Sequence, residues 1–254
     1  MRGSKFKIRL LIGLAIVAFA FFKKCANRET NPYTNRMQTI NMTSEEEIEL
    51  GFANRDAMAQ QHGGLYPDAG AQARVDMIGE KLVNSNSMAA KSPYKFQFHL
   101  LADNRAINAF ALPGGQIFIT NALYSKLDDA QLAGVLGHEI GHVLGRHSAE
   151  RIAETDFWQT VSTGASVGAD MGGMVGGIAQ STLLKNGRED ELESDELGVV
   201  LMIYAGYDPE AMIEVMKILK AAAGPNRSPE FQSTHPDPEN RIEKIKEVIA
   251  NYRE

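Results

Sequence analysis

Within residues 128–144, Leu132, Val135, Leu136, Ile140, Val143 and Leu144 recur at helical spacing, and His138-Glu139-Ile140-Gly141-His142 is set among them. A chain that lays two imidazoles and a carboxylate into an apolar helix must satisfy them in its interior, because unpaired buried polar groups are costly. Residues four apart share one helix face about one turn apart. Both imidazoles can therefore reach one tetrahedral ion, with Glu139 beside the ion's open position as a base for water. The single cysteine is Cys25 and no Cys-x-x-Cys pair exists, so a metal site here must use histidine and carboxylates. The plain alternative is a chance string whose histidines merely cap core contacts.

A third ligand has two candidates. Gly145-Arg146-His147-Ser148 follows the motif, but the metzincin pattern needs its histidine where Ser148 stands, and His147 comes one residue early. A cap or a supporting role near the helix end suits His147 better. The second candidate is Glu191-Leu192-Glu193-Ser194-Asp195. There the i, i+4 spacing puts Glu191 and Asp195 on one face, so that Glu191 can bind a metal while Asp195 fixes an imidazole N–H. A solvated acidic helix start remains open for the same stretch.

Around these motifs the sequence predicts a mostly helical α+β fold with a small sheet. Ser44 with Glu47 reads as a capping box for a helix to Gln61, stopped at Gly63-Gly64. A second helix runs from Asp68 to about Asn86 with Val75, Ile78, Leu82 and Val83 inward. Residues 95–101 and 116–120 read as strands joined by an irregular piece, and helical patterns fit 190–205, 209–222 and 237–252.

The N-terminus has a different character. Arg2, Lys5, Lys7 and Arg9 precede an apolar run from Leu10 to Phe22, and Lys23 and Lys24 close it. Thirteen helical residues reach only roughly 20 Å against a hydrocarbon core of ~30 Å. This is expected to be an uncleaved signal anchor or a removed signal peptide over residues 1–25, with the body outside the cytoplasm and 26–43 as a linker. Residues 1–30 take seven basic residues and one acid from the chain's 26 and 32, leaving 19 basic against 31 acidic residues. So acidic a body excludes a nucleic-acid partner. Gly164, Gly168, Gly172 and Gly176 fall four apart, which lets another backbone approach; residues 161–181 are read as a lid, or else as a membrane contact or a packed core helix.

The residues His138 to His147, then Glu191 to Asp195 with Gly198, then Thr234-His235-Pro236 with Arg241, resemble in order the forty-eighth metallopeptidase family, which includes HtpX, BepA and the CaaX prenyl protease. The resemblance covers about residues 44–250. It implies a zincin-like (gluzincin) domain, 44–254, with one Zn2+ held by His138, His142 and Glu191, Glu139 as general base and Asp195 behind a ligand. It also implies that Asn108, Ala109 and Phe110 begin an edge strand that binds an extended peptide substrate in the cleft; a loop turning at Pro113-Gly114-Gly115 is the plain alternative. His235 would lie near the zinc, either donating to the transition-state oxyanion or filling the open position as a latch. The implied activity is zinc-dependent metalloendopeptidase action on misfolded or misassembled proteins of a bacterial envelope. A periplasmic chaperone with latent protease activity is the rival.

Overall fold

The computed structural model describes residues 2–169, 171–222, 235 and 240–253. It divides into two units, Thr43–His147 with Arg188–Glu254, and Met1–Met42 with Ser148–Gly187. Thr234, Pro236 and Asp170 lie outside the described residues.

The second of these units begins with helix α1 (Arg2–Ala26), followed by a hairpin of β1 (Arg28–Thr30) and β2 (Met37–Thr39). That hairpin lies in the stretch read as a linker, which had shown no period because each strand is three residues long. Helix α7 (His147–Ala169) runs antiparallel to α1. Arg9 donates to the Val167 carbonyl at 3.1 Å, Phe21 meets Phe157 edge-on at 5.1 Å, and Lys24 stands 4.0 Å from Glu154. Between these points the two backbones touch: a Cβ on Gly13 would fall 2.5 Å from the Gly164 carbonyl and 2.7 Å from the Gly168 Cα. Half of the expected glycine stripe thus has α1 as its close neighbour, whereas Gly173, Gly176 and Gly177 face open space. Leu11, Phe19 and Phe22 of α1 are exposed. Among the described residues no helix is long and apolar enough to cross a membrane.

The larger unit carries the chemistry. Helix α2 (Ser44–Gln61) is capped by Thr43, with Glu46 reaching back to it, one residue earlier than expected. The reason is that Glu47 is engaged elsewhere, buried against Arg146 at 2.7 Å. Asp68 caps α3 (Ala69–Ser85) through the amides of Gly70 and Ala71, and the single turn α4 (Ser87–Ala90) leads to the sheet. Strand β5 (Gln116–Thr120) is central, with β3 (Gln97–Leu101) parallel on one side and β4 (Ala109–Leu112) antiparallel on the other. The piece expected to be irregular therefore holds a third strand, as the family resemblance implied, and Pro113–Gly115 forms a 3-10 turn after it. Every residue of β5 is buried, the polar Gln116 and Thr120 at its ends as well as Ile117, Phe118 and Ile119 between them.

After the turn α5 (Asn121–Tyr124), helix α6 (Asp129–Leu144) packs on α3, on β4 and on α9 (Ala211–Ala222). Leu132, Leu136, Ile140 and Leu144 are completely buried. The expected 190–205 helix is the C-terminal part of a longer one, α8 (Gly172–Tyr204). Helix α10 (Arg241–Arg253) packs against α9.

Helices α6 and α8 meet through glycine. A Cβ on Gly141 would lie 2.8 Å from the Ser194 carbonyl, and one on Gly198 would lie 2.9 Å from the His138 nitrogen. Alanine at 141 would gain up to ~1 kcal/mol of helix propensity, but its neighbour is backbone and cannot rotate away, and overpacking costs about 1–3 kcal/mol. Gly141→Ala is expected to lower the thermal midpoint and to weaken metal binding, since Ser194 lies between Glu191 and Asp195; calorimetry with and without zinc checks both.

Candidate active site

One turn of α6 and one turn of α8 build the centre. His138, His142, Glu191 and His235 each offer a ligand atom, and these atoms lie within 4.8 Å of one another. His138 Nε2 is 3.0 Å from His142 Nε2, and the Glu191 carboxylate lies 3.3 Å from each. The remaining nitrogens point outward. His138 Nδ1 is 2.8 Å from Asp195 Oδ1; a carboxylate can only accept, so Nδ1 is the donor. His142 Nδ1 is 2.9 Å from His147 Nδ1.

This polarity tests whether a metal fits. With their protons on the outward nitrogens, two neutral imidazoles turn lone pairs at each other across 3.0 Å, beside a carboxylate. Such a cluster of acceptors wants a cation at its centre, and two imidazole nitrogens with one carboxylate are the donors zinc takes. The protonation balance agrees. Burial acts to lower the pKa of His138, but its hydrogen bonds to the Asp195 and Glu191 carboxylates outweigh that and raise it to about 10. Without a metal, the pocket collects a proton instead.

Metal binding must displace that proton. Zinc affinity is therefore expected to rise with pH by about tenfold per unit for one displaced proton, up to the His138 pKa. Competition with a chromophoric chelator between pH 6 and 9 checks this, and a flat profile would contradict it.

Glu139 is buried, and among the described residues neither carboxylate oxygen has a hydrogen-bond partner. Burial raises its pKa above the ordinary carboxylate range, more than the positive field of His235 and His138 lowers it. His235 Nε2 lies 3.5 Å from Glu139 Oε1 and 3.1 Å from the Ala109 carbonyl, while its Nδ1 is 3.1 Å from Glu191 Oε1 and 3.4 Å from His138 Nε2. One imidazole thus spans from the ligand cluster to the edge strand.

The three residues expected to bind substrate differ in placement. Asn108 is buried, its carbonyl accepting from the Thr120 amide at 3.0 Å. Phe110 stacks on Phe118 of β5 with ring centroids 4.9 Å apart. Only the Ala109 carbonyl is seen turned away from β5, toward His235.

Arg241, which entered the sequence reading only as part of the family resemblance, is buried behind the site. It donates from Nε and Nη2 to the two Asp195 oxygens, both at 2.7 Å, and its Nη1 is 3.1 Å from Glu191 Oε2. One guanidinium therefore holds both acids of α8. Glu47 and Arg146 had no functional reading in the sequence, where Glu47 entered only as a capping residue.

The profile of peptidase family M48 matches residues 69–249, which takes in the whole histidine–carboxylate cluster with Glu139, Asp195 and Arg241 but not Glu47. The chain belongs to peptidase family M48. The family is one of peptidases. Curated relatives agree: the chain is 35% identical over 172 residues to the mitochondrial metalloendopeptidase OMA1 of Schizosaccharomyces pombe, covering 64% of this chain and 49% of that one. It is 32% identical over 184 residues to the beta-barrel assembly-enhancing protease of Escherichia coli, covering 66% and 37%. The OMA1 protein of Saccharomyces cerevisiae is 29% identical over 242 residues, 88% of this chain and 69% of its own. The matched part is thus half or less of the first two relatives' length.

Proposed function

We propose that this M48 chain is a zinc-dependent metalloendopeptidase with His138, His142 and Glu191 as ligands and Glu139 as general base. The reading is carried by one observation: two buried imidazole Nε2 atoms 3.0 Å apart, with Glu191 beside both. Bound there, zinc supplies Lewis acidity for a water and for the scissile carbonyl. Glu139, whose pKa burial has raised, takes a proton from the water and returns it to the leaving amine. Asp195 holds the proton of His138 Nδ1 and so keeps Nε2 turned inward. The free side of β4 receives an extended peptide by strand addition, the Ala109 carbonyl being one of its bonding groups.

His235 favours a second state of the same enzyme. It stands among the ligand atoms and already bonds Ala109, where a substrate would need both. We infer that His235 is a latch and that this conformation is latent, which also accommodates the chaperone alternative. His235→Ala is expected to raise the rate of casein cleavage several-fold at unchanged zinc content; a slower rate would make His235 an oxyanion donor instead.

For cellular setting, we propose that α1 with its flanking lysines attaches the chain to a bacterial envelope membrane, with misassembled envelope proteins as substrates. The support is the exposed apolar face of α1 and the printed role of the Escherichia coli relative in beta-barrel assembly. The deciding experiment is metal content and casein cleavage by the full chain in detergent. One zinc per chain with chelator-sensitive cleavage supports the enzyme; zinc without cleavage, even after His235→Ala, overturns it in favour of the chaperone.

A further inference from the structure

We propose that His147 is a positioning residue for the metal centre: with Glu193 behind it, it fixes the tautomer of His142 so that the Nε2 lone pair faces the ion. This rests on the zinc reading above but concerns residues outside the ligand set.

The two histidines of α6 are steadied differently. His138 gives its outward proton straight to the Asp195 carboxylate at 2.8 Å. His142 has no carboxylate at that place; its Nδ1 meets another imidazole, His147 Nδ1, at 2.9 Å. Two imidazole nitrogens facing each other do not say which one holds the proton. The far side of His147 decides. Its Nε2 lies 2.7 Å from Glu193 Oε2 and 3.7 Å from Asp190 Oδ1, and both are acceptors only. His147 Nε2 therefore carries the proton, which leaves Nδ1 bare in the neutral ring. A bare Nδ1 accepts from His142, and Ser194 Oγ at 3.3 Å can donate to the same atom. The opposite arrangement would put two lone pairs together at Glu193. A proton fixed on His142 Nδ1 leaves His142 Nε2 unprotonated and directed at the ligand cluster.

The local backbone is shaped for this contact. Arg146 has φ 57°, a left-handed conformation uncommon for a residue with a side chain, and its guanidinium is held by buried Glu47 at 2.7 Å. That residue stops α6 and turns His147 back over the helix end. Gly145 then has an ordinary helical backbone, φ −67° and ψ −14°, so conformation does not require glycine. Space does, since a Cβ there would fall 2.3 Å from His147 Nε2. Glu47, Arg146 and Gly145 thus serve the placement of one ring.

The test measures zinc affinity and the tautomer of His142 on the full chain. Long-range proton–nitrogen correlation of the metal-free protein should show His142 protonated at Nδ1, and a mixture of tautomers in His147→Leu. Zinc affinity by chelator competition should fall about 10–100-fold in His147→Leu, the usual cost of losing a ligand's outer partner. His147→Gln, whose amide oxygen can accept from His142 while its NH2 donates to Glu193, should recover part of the loss. Gly145→Ala should weaken zinc binding by displacing the ring while every ligand remains. If His147→Leu does not fold, Glu193→Ala on the rim of the site decides by the same two readouts, with several-fold weaker zinc and a mixed tautomer expected. Zinc affinity within twofold of the parent, with Nδ1 still protonated, overturns the proposal. A parent that binds no zinc sinks the metallopeptidase reading instead, and the tautomer measurement still judges His147.

Discussion

Glu139→Gln is expected to bind zinc as tightly as the parent chain and to cleave peptides about 10²–10⁴-fold more slowly, the span that a positioned acid–base group contributes. The two halves of this outcome have separate causes. Glu139 is not among the groups whose atoms converge in the ligand cluster, so an amide of the same shape leaves the donor set intact. The amide also relieves a burden, because both carboxylate oxygens are buried without a hydrogen-bond partner among the described residues. A buried ion that burial itself disfavours is retained at a cost to stability, and Glu139→Gln should accordingly be no less stable than the parent. Loss of turnover together with equal or greater stability is the signature of a residue kept for chemistry. Metal analysis, chemical unfolding and kcat/KM on one peptide substrate check the three quantities; full activity in the variant would remove Glu139 from the mechanism.

That contrast also shows where sequence and structure divide the work of recognition. His138, Glu139 and His142 are legible from spacing alone, because one helix turn fixes which residues share a face. Glu191 and Asp195 needed a family pattern, since the same five residues could begin a solvated helix. Nothing within those five residues says that Gly141 and Gly198 let α8 come within backbone contact of α6. The edge strand Ala109–Leu112 was a loop by its own composition; pairing with β5 makes it a strand, and pairing is a long-range property. His147 is instructive for another reason. Its offset from a known pattern excluded it as a ligand, yet its contact with His142 depends on Arg146 adopting a positive φ, which no periodicity encodes. The capping box slipped by one residue for a similar cause, Glu47 being drawn away by Arg146. Local rules thus pick out the proposed ligands on α6, whereas the groups proposed to orient them are set by contacts between distant segments.

Arg241→Leu should test that second layer most severely. The guanidinium makes two bonds of 2.7 Å to Asp195 and lies 3.1 Å from Glu191, all three side chains buried. Removing one partner from a buried pair leaves the other charge uncompensated and costs about 3–5 kcal/mol; here two carboxylates lose their cation together. In the parent, burial acts to raise the Asp195 pKa but Arg241 and His138 outweigh it, so the folded pKa is lowered. A lowered folded pKa contributes stability above the unfolded value, lost as pH falls through the folded one. Without Arg241 the main opponent of burial is gone, the Asp195 pKa rises, and ionised Asp195 becomes a liability that acid relieves. The stability gap between parent and Arg241→Leu should therefore be widest near neutral pH and narrow as pH falls through the carboxylate range. Zinc should narrow it further, because the ion compensates Glu191, though Asp195 stays exposed to the loss. Arg241→Lys should fall between the two, keeping the charge but losing the fork that grips both Asp195 oxygens. Urea unfolding of the metal-free and zinc-loaded proteins from pH 4 to pH 8 measures these differences. A variant within 1 kcal/mol of the parent at neutral pH would mean that Arg241 does not hold Asp195 and Glu191 in place, and His138 would then owe its orientation to packing in α6 alone.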